Sequence, residues 1–257
     1  MGRSAAELYL GTVLFEPNRW TPAKEPTVRV SRYLDRARAA GFDGLELWEN
    51  HAALAPADEL ALLRAADPPV VVFNTYCTFD DASAARAERA AALVRSLGAR
   101  AVKWNFGRDP ARAAEEVRGV RRFAAMLPPG VRLLCECHPG TFAERPADAA
   151  RLLDDVGPPA QFQAIVHSAR DRATHAAWLD ALGPRVTHSH VVLYRQPRCP
   201  ADAEPDALDG LRDLTSLGFA GTYTLEFTRG VNTPADRPEQ MLASAVHDAR
   251  LVREVIG

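Results

Sequence analysis

Eight times along this chain a short run rich in Val, Leu, Phe and Tyr gives way to an alanine- and arginine-rich stretch of helical period. The apolar runs lie near 8–14 (LYLGTVL), 43–48 (DGLELW), 69–76 (PVVVFNTY), 100–106 (RAVKWNF), 131–137 (VRLLCEC), 161–167 (QFQAIVH), 186–193 (VTHSHVVL) and 221–227 (GTYTLEF), and read as strands. Helices are expected near 27–40, 57–66, 81–97, 110–126, 146–155, 171–182, 205–217 and 235–255. Pro26 or Thr27 opens the first and Gly41 closes it; Asp80 or Asp81 opens the third and Gly98 closes it; Gly218 closes the seventh. Eight units in 257 residues allow about 32 residues each, the size of one βα unit, which leaves nothing for a second domain. The expected fold is therefore α/β, a single (β/α)8 barrel over residues 1–257. An open, doubly wound sheet would place a Gly-rich phosphate turn after its first strand, and GTVLFEPNRW is not one. The Pro-rich stretch 195–206 then reads as a loop on the active-site face rather than a linker.

Composition narrows the function. With 47% hydrophobic and 25% charged residues the chain can build a large core, which excludes intrinsic disorder. A net charge of −2 lacks the basic excess of a nucleic-acid binder, so no nucleic-acid partner is expected. No apolar run is long enough to cross a bilayer, and the opening MGRSAAELYLGT lacks the apolar stretch of a secretory signal, so no membrane association and a cytoplasmic location are expected. Cys135 and Cys137 alternate with Glu136 and read as packing under the helices, while Cys77 and Cys199 stand alone. Of 31 basic residues only Lys24 and Lys103 are lysines, a skew that reads as genomic bias.

Polar residues stand where barrel strands should be apolar. Each of strands two to eight carries one at or near its C-terminal end, the face on which barrel enzymes do their chemistry: Glu46, Asn74, Lys103 with Asn105, Glu136 with His138, His167, His188 with His190, and Glu226. A buried carboxylate costs several kcal/mol, by order of magnitude, unless it is paired or bound to metal. Taken singly, a strand-end histidine is commonly a satisfied core residue, and Glu46 could pair with Lys103 across the barrel. Taken together, Glu136, His167, His190 and Glu226 on four consecutive strands form a four-ligand set for one divalent ion: Mn2+, Co2+, Zn2+ or Mg2+. Trp48, Tyr76 and Trp104 near strand ends suit either a sugar face or rim packing.

Four segments, AAGFDGLELWENH at 39–51, LCECHPGT at 134–141, THSHVVLYR at 187–195 and GTYTLEFTRG at 221–230, make the chain resemble the xylose isomerase-like TIM barrels. That superfamily contains sugar isomerases and epimerases, inosose dehydratases and type-IV apurinic endonucleases. The resemblance implies metal ligands Glu136, His190 and Glu226, with His167 standing where the epimerases carry aspartate and Arg170 where a further histidine is usual. It implies that Glu136 and Glu226 are both ligands and acid/base groups, moving a proton next to a metal-bound carbonyl through an enediolate. His138, Lys103, Glu46, Trp48, Asn74, Arg195 and Arg229 are the expected substrate-binding residues, the substrate being a small sugar or polyol. Arg195, Arg198, Arg229 and Gly230 could also hold a phosphate. The activity implied is that of a metal-dependent isomerase or epimerase; a lyase of the inosose dehydratase kind is the alternative, with an endonuclease or a non-catalytic binding barrel behind it. Glu49 and His51 resemble positions where the endonucleases hold extra zinc, but FNTYCTF supplies no second histidine. The resemblance also allows a homodimer.

Overall fold

A computed structural model describes residues 6–196, 199–200, 202–233 and 236–257. Eight parallel strands, each hydrogen-bonded to its sequence neighbours, close a barrel: β1 (Leu8–Gly11), β2 (Gly44–Trp48), β3 (Val70–Asn74), β4 (Ala101–Trp104), β5 (Arg132–Glu136), β6 (Phe162–His167), β7 (Val186–Val192) and β8 (Thr222–Phe227). Closure comes from β1 against β8, with Leu8 opposite Tyr223 and Leu10 opposite Leu225. Every strand falls inside its expected run. Parallel strands covered on both faces are apolar almost throughout, so the runs read directly from composition.

The helices described are α1 (Leu34–Ala39), α2 (Glu49–Ala53), α3 (Ala57–Arg64), α4 (Ala84–Leu97), α5 (Ala113–Met126), α6 (Pro146–Val156), α7 (Arg172–Leu182), α8 (Leu208–Ser216) and α9 (Pro238–Ile256). Asp80 accepts from the Ser83 N–H at 2.8 Å, Asp109 from Ala111 at 3.0 Å and Asp171 from Thr174 at 2.7 Å, satisfying donors that a helix start leaves open. Gly98 closes α4 at φ 67°, a conformation that costs glycine little. The first helix departs from expectation. It begins as a 3-10 turn at Val30, and Thr27 turns its N–H and hydroxyl to the Glu16 carboxylate instead of sitting at the cap position, which Arg29 takes. The short α2 was not anticipated, and the expected start of the last helix, residue 235, lies outside the described residues.

The main core fills the layer between strands and helices and includes Leu133, Cys135 and Cys137, so the two cysteines pack as expected. A second, smaller cluster plugs the barrel interior: Tyr9, Val71, Val72, Ala101, Leu134 and Ile165. Towards the C-terminal mouth the buried side chains become polar, with Glu46, Asn74, Lys103, Glu136, His188, His190 and Thr224. Among the described residues no helix is long and apolar enough to cross a membrane.

Candidate metal centre at the barrel mouth

Strand register sets the site. His190 pairs with His167 on one side and Thr224 on the other, and Glu136 stands one strand further along, so the alternating pleat aims these side chains at one point. Glu136 Oε1 lies 2.9 Å from His167 Nε2 and 3.2 Å from His190 Nδ1, and Glu226 Oε2 lies 3.3 Å from His190 Nδ1. All four donor atoms fall within 4.8 Å of one another. Ligand bonds of about 2.1 Å would put neighbouring donors about 3.0 Å apart around an octahedral ion and about 3.4 Å around a tetrahedral one. The donor set and its spacing therefore fit a divalent cation.

A second ring of contacts fixes these donors. Lys103 Nζ lies 2.7 Å from Glu136 Oε2, the Asn105 amide donates to the same oxygen at 2.7 Å, and Lys103 also donates to Asn105 Oδ1 at 2.8 Å. Burial opposes charge on Glu136, yet Lys103 and the two histidines hold its carboxyl well below the usual range. His190 Nε2 donates to Glu46 Oε2 at 3.1 Å, and Nδ1 faces Glu136 and Glu226. Burial works against a charged His190, but Glu46 and Glu226 hold it protonated well above the usual histidine range. Glu46 is itself buried, and His190 and His188 outweigh that burial to keep it ionised. His188 bonds Thr222 at 2.7 Å and Thr224 at 2.9 Å, and burial keeps it neutral. A carboxylate behind a histidine is the usual device for orienting a metal-binding imidazole.

The xylose isomerase-like TIM barrel family model matches residues 34–242. The chain belongs to that family. No protein of curated function matches it in sequence. Among solved structures it is similar to the probable 3-DHS dehydratase AsbF of Bacillus anthracis, at TM-score 0.67 and 14% identity over 94% of this chain and 97% of that one. It is similar to the IOLI protein with a binding zinc atom, at TM-score 0.65 and 12% identity over 97% and 99%. It is also similar to 3-keto-D-glucoside 4-epimerase, YcjR, of E. coli, at TM-score 0.63 and 15% identity over 95% and 99%. At these identities the likeness is one of fold.

Within this xylose isomerase-like barrel several expected substrate contacts have other work. Glu46 is only 1% exposed and pairs with His190 rather than with Lys103; Asn74 is equally buried and donates to Glu46 at 2.8 Å. Both stand behind the candidate ligand His190. Lys103 is paired with Glu136, because the barrel's tilt brings β4 and β5 side chains together and leaves Glu46 to β7. Trp48 is 0% exposed and edge-on to His51, so it packs rather than receives a sugar. Arg195 turns into its own loop, bonding the Asp206 carbonyl at 3.0 Å, and Arg229 lies by the buried Tyr194–Asp248 pair. Arg198 lies outside the described residues. His138 does sit at the rim, exposed, its ring centroid 6.0 Å from that of His167.

Glu49 and His51 join neither the cluster of Glu136, His167, His190 and Glu226 nor the second metal-capable group among the described residues, Glu46, His188 and His190. His51 bonds Glu16 at 2.7 Å and Thr12 at 2.9 Å, while Glu49 pairs with Arg86 and Thr75. Glu16, fully buried, also accepts from Thr27 and Val28, and so folds segment 16–29 across the mouth. That segment puts Trp20 against Phe227, next to Glu226, and Lys24 over the ring of Tyr76. Neither Lys24 nor this use of Tyr76 was legible in strand ends; the scarcity of lysine was the one signal that pointed to it.

Proposed function

We propose that this protein is a divalent-metal-dependent isomerase or epimerase of a small sugar or sugar-like polyol. The observation that carries the reading is the convergence of Glu136, His167, His190 and Glu226 on one point, with Glu226 held by fewer partners than Glu136. Both Glu136 oxygens have close partners, whereas the close polar partner of Glu226 among the described residues is His190. Two imidazoles with two carboxylates suit Mn2+, Co2+ or Zn2+ better than Mg2+. A bound divalent cation supplies Lewis-acid polarisation of a carbonyl and its neighbouring hydroxyl.

Glu226 takes the proton from the carbon beside that carbonyl. Its return to the adjacent carbonyl carbon isomerises the sugar. In epimerisation Glu136 takes a proton from the Lys103 ammonium 2.7 Å away and delivers it to the opposite face of the same carbon, and solvent restores Lys103 and Glu226 after product leaves. Before substrate binds, Lys103 and Asn105 keep Glu136 ionised, and His138 at the rim donates to a substrate oxygen. Four free, buried cysteines suit a reducing compartment, so we place the activity in the cytoplasm. The Lys103 ammonium beside the centre favours a second reading, in which it protonates a departing β-hydroxyl and the enzyme is a lyase. Metal analysis, with product analysis on a panel of ketoses and keto-polyols, tests both. About one ion per chain is expected, with Glu226→Gln losing metal and turnover together. Wild-type metal and turnover in that variant would overturn the proposal, and release of water would select the lyase.

A further inference from the structure

Segment 16–29 forms one wall of the mouth and carries a lysine that, among the described residues, no acidic side chain neutralises. Lys24 sits in the left-handed region at φ 48°, its carbonyl accepting from the Asn50 amide at 2.7 Å, a backbone conformation that a non-glycine residue holds only when its surroundings impose it. Its ammonium lies 4.0 Å from the Tyr76 ring centroid, and the Lys103 ammonium lies 5.2 Å from the same centroid. Lys103 is matched by Glu136 and Arg86 by Glu49, but among the described residues Lys24 has no carboxylate partner. Burial, Lys103 and Arg86 all push its ammonium below the usual lysine range. An uncompensated cation held in an unfavourable potential is a site prepared for an anion.

The charge of the centre points the same way. Under the proposed function, a dication with Glu46, Glu136, Glu226 and Lys103 leaves the buried centre neutral, because His167 stands where an aspartate would have made it negative. Lys24 then gives the mouth a single positive charge. We propose that Lys24 is a specificity residue that binds a carboxylate on the substrate, so that the proposed chemistry acts on a sugar acid or keto acid rather than a neutral sugar. One unmatched charge suits a monoanion better than a phosphate dianion, and the Tyr76 ring beside it offers an apolar face to the carbon skeleton.

The inference rests on the proposed function, and its test separates the two. Binding of D-glucuronate, D-glucose and D-glucose 6-phosphate is measured by calorimetry on metal-stripped and metal-loaded protein, for wild type, Lys24→Met and Lys24→Arg. Wild type should prefer glucuronate to both others. Lys24→Met should weaken glucuronate about ten- to hundredfold, the scale of one charge-assisted hydrogen bond, with glucose unchanged. Lys24→Arg should stay within a few-fold of wild type. Equal affinities for glucuronate and glucose, tighter binding of glucose 6-phosphate, or indifference to Lys24→Met would each overturn the subsite, even in a protein that holds metal and turns over. A Lys24-dependent preference in a protein that retains no metal would sustain the subsite and sink the proposed chemistry.

Discussion

Glu46→Gln tests the ring of contacts behind the candidate metal centre. The substitution conserves volume and removes one charge from a carboxylate that is 1% exposed and 3.1 Å from His190 Nε2. In the wild type the carboxylate can only accept, so Nε2 keeps its proton and Nδ1 is the nitrogen that gives up a proton to bind metal. A glutamine can instead donate to Nε2, which favours the tautomer with its proton on Nδ1, the atom between Glu136 and Glu226. Losses at such positions typically weaken metal binding 10- to 100-fold, or about 1.4–2.7 kcal/mol. The assay is competition for Zn2+ against a chromophoric chelator, with wild type and Glu226→Gln alongside. Glu46→Gln should fall between them. An affinity equal to wild type would refute the orienting role, and one as weak as Glu226→Gln would make Glu46 a ligand.

Metal at a hundred times its Kd should stabilise the fold by about 2.7 kcal/mol, or roughly 5–10 °C in a thermal melt, and a chelator should reverse it. Unchanged melting would mean no ion is bound. Glu116 is buried against the Gly107 N–H, and burial pushes its carboxyl up to about 7. The folded chain thus keeps a proton that the unfolded chain releases, so this stabilisation is full below about pH 4.5 and is lost as pH rises through 7. Urea melts at pH 5 and pH 8 should show Glu116→Gln gaining about 2–3 kcal/mol on wild type at the higher pH, and parallel curves would contradict this. In α5, a Cβ on Gly119 would lie 1.6 Å from the Phe79 carbonyl oxygen, so Gly119→Ala should cost about 3 kcal/mol in a urea melt, and an unchanged midpoint would show that the helix shifts freely.

The barrel was legible because each buried strand is a continuous apolar run and several helices carry a recognisable end, such as Asp80 before α4 and Gly98 after it. The candidate cluster was legible for the same reason: strand ends are fixed once strands are found, and the convergence of Glu136, His167, His190 and Glu226 follows from them. Which buried group pairs with which was not. Lys103 meets Glu136 and Glu46 meets His190 through the stagger of the barrel, a property of all eight strands that no local segment encodes. Loop conformation was equally hidden: Thr27 looks like a helix cap until Glu16 and His51 claim that corner, and Lys24 looks like any exposed lysine until segment 16–29 is folded.

The pairing of both lysines with one tyrosine gives the protein two built-in reporters. Reductive methylation with 13C-formaldehyde keeps each ammonium charged and labels, besides the α-amine, only the side chains of Lys24 and Lys103. The Lys24 methyls, seated over the Tyr76 ring, should resonate upfield, and Lys103, enclosed with Glu136, should react more slowly. A spectrum of so few lines would follow occupancy of the mouth from both ammonium groups, in a molecule whose other basic side chains are silent to the reagent.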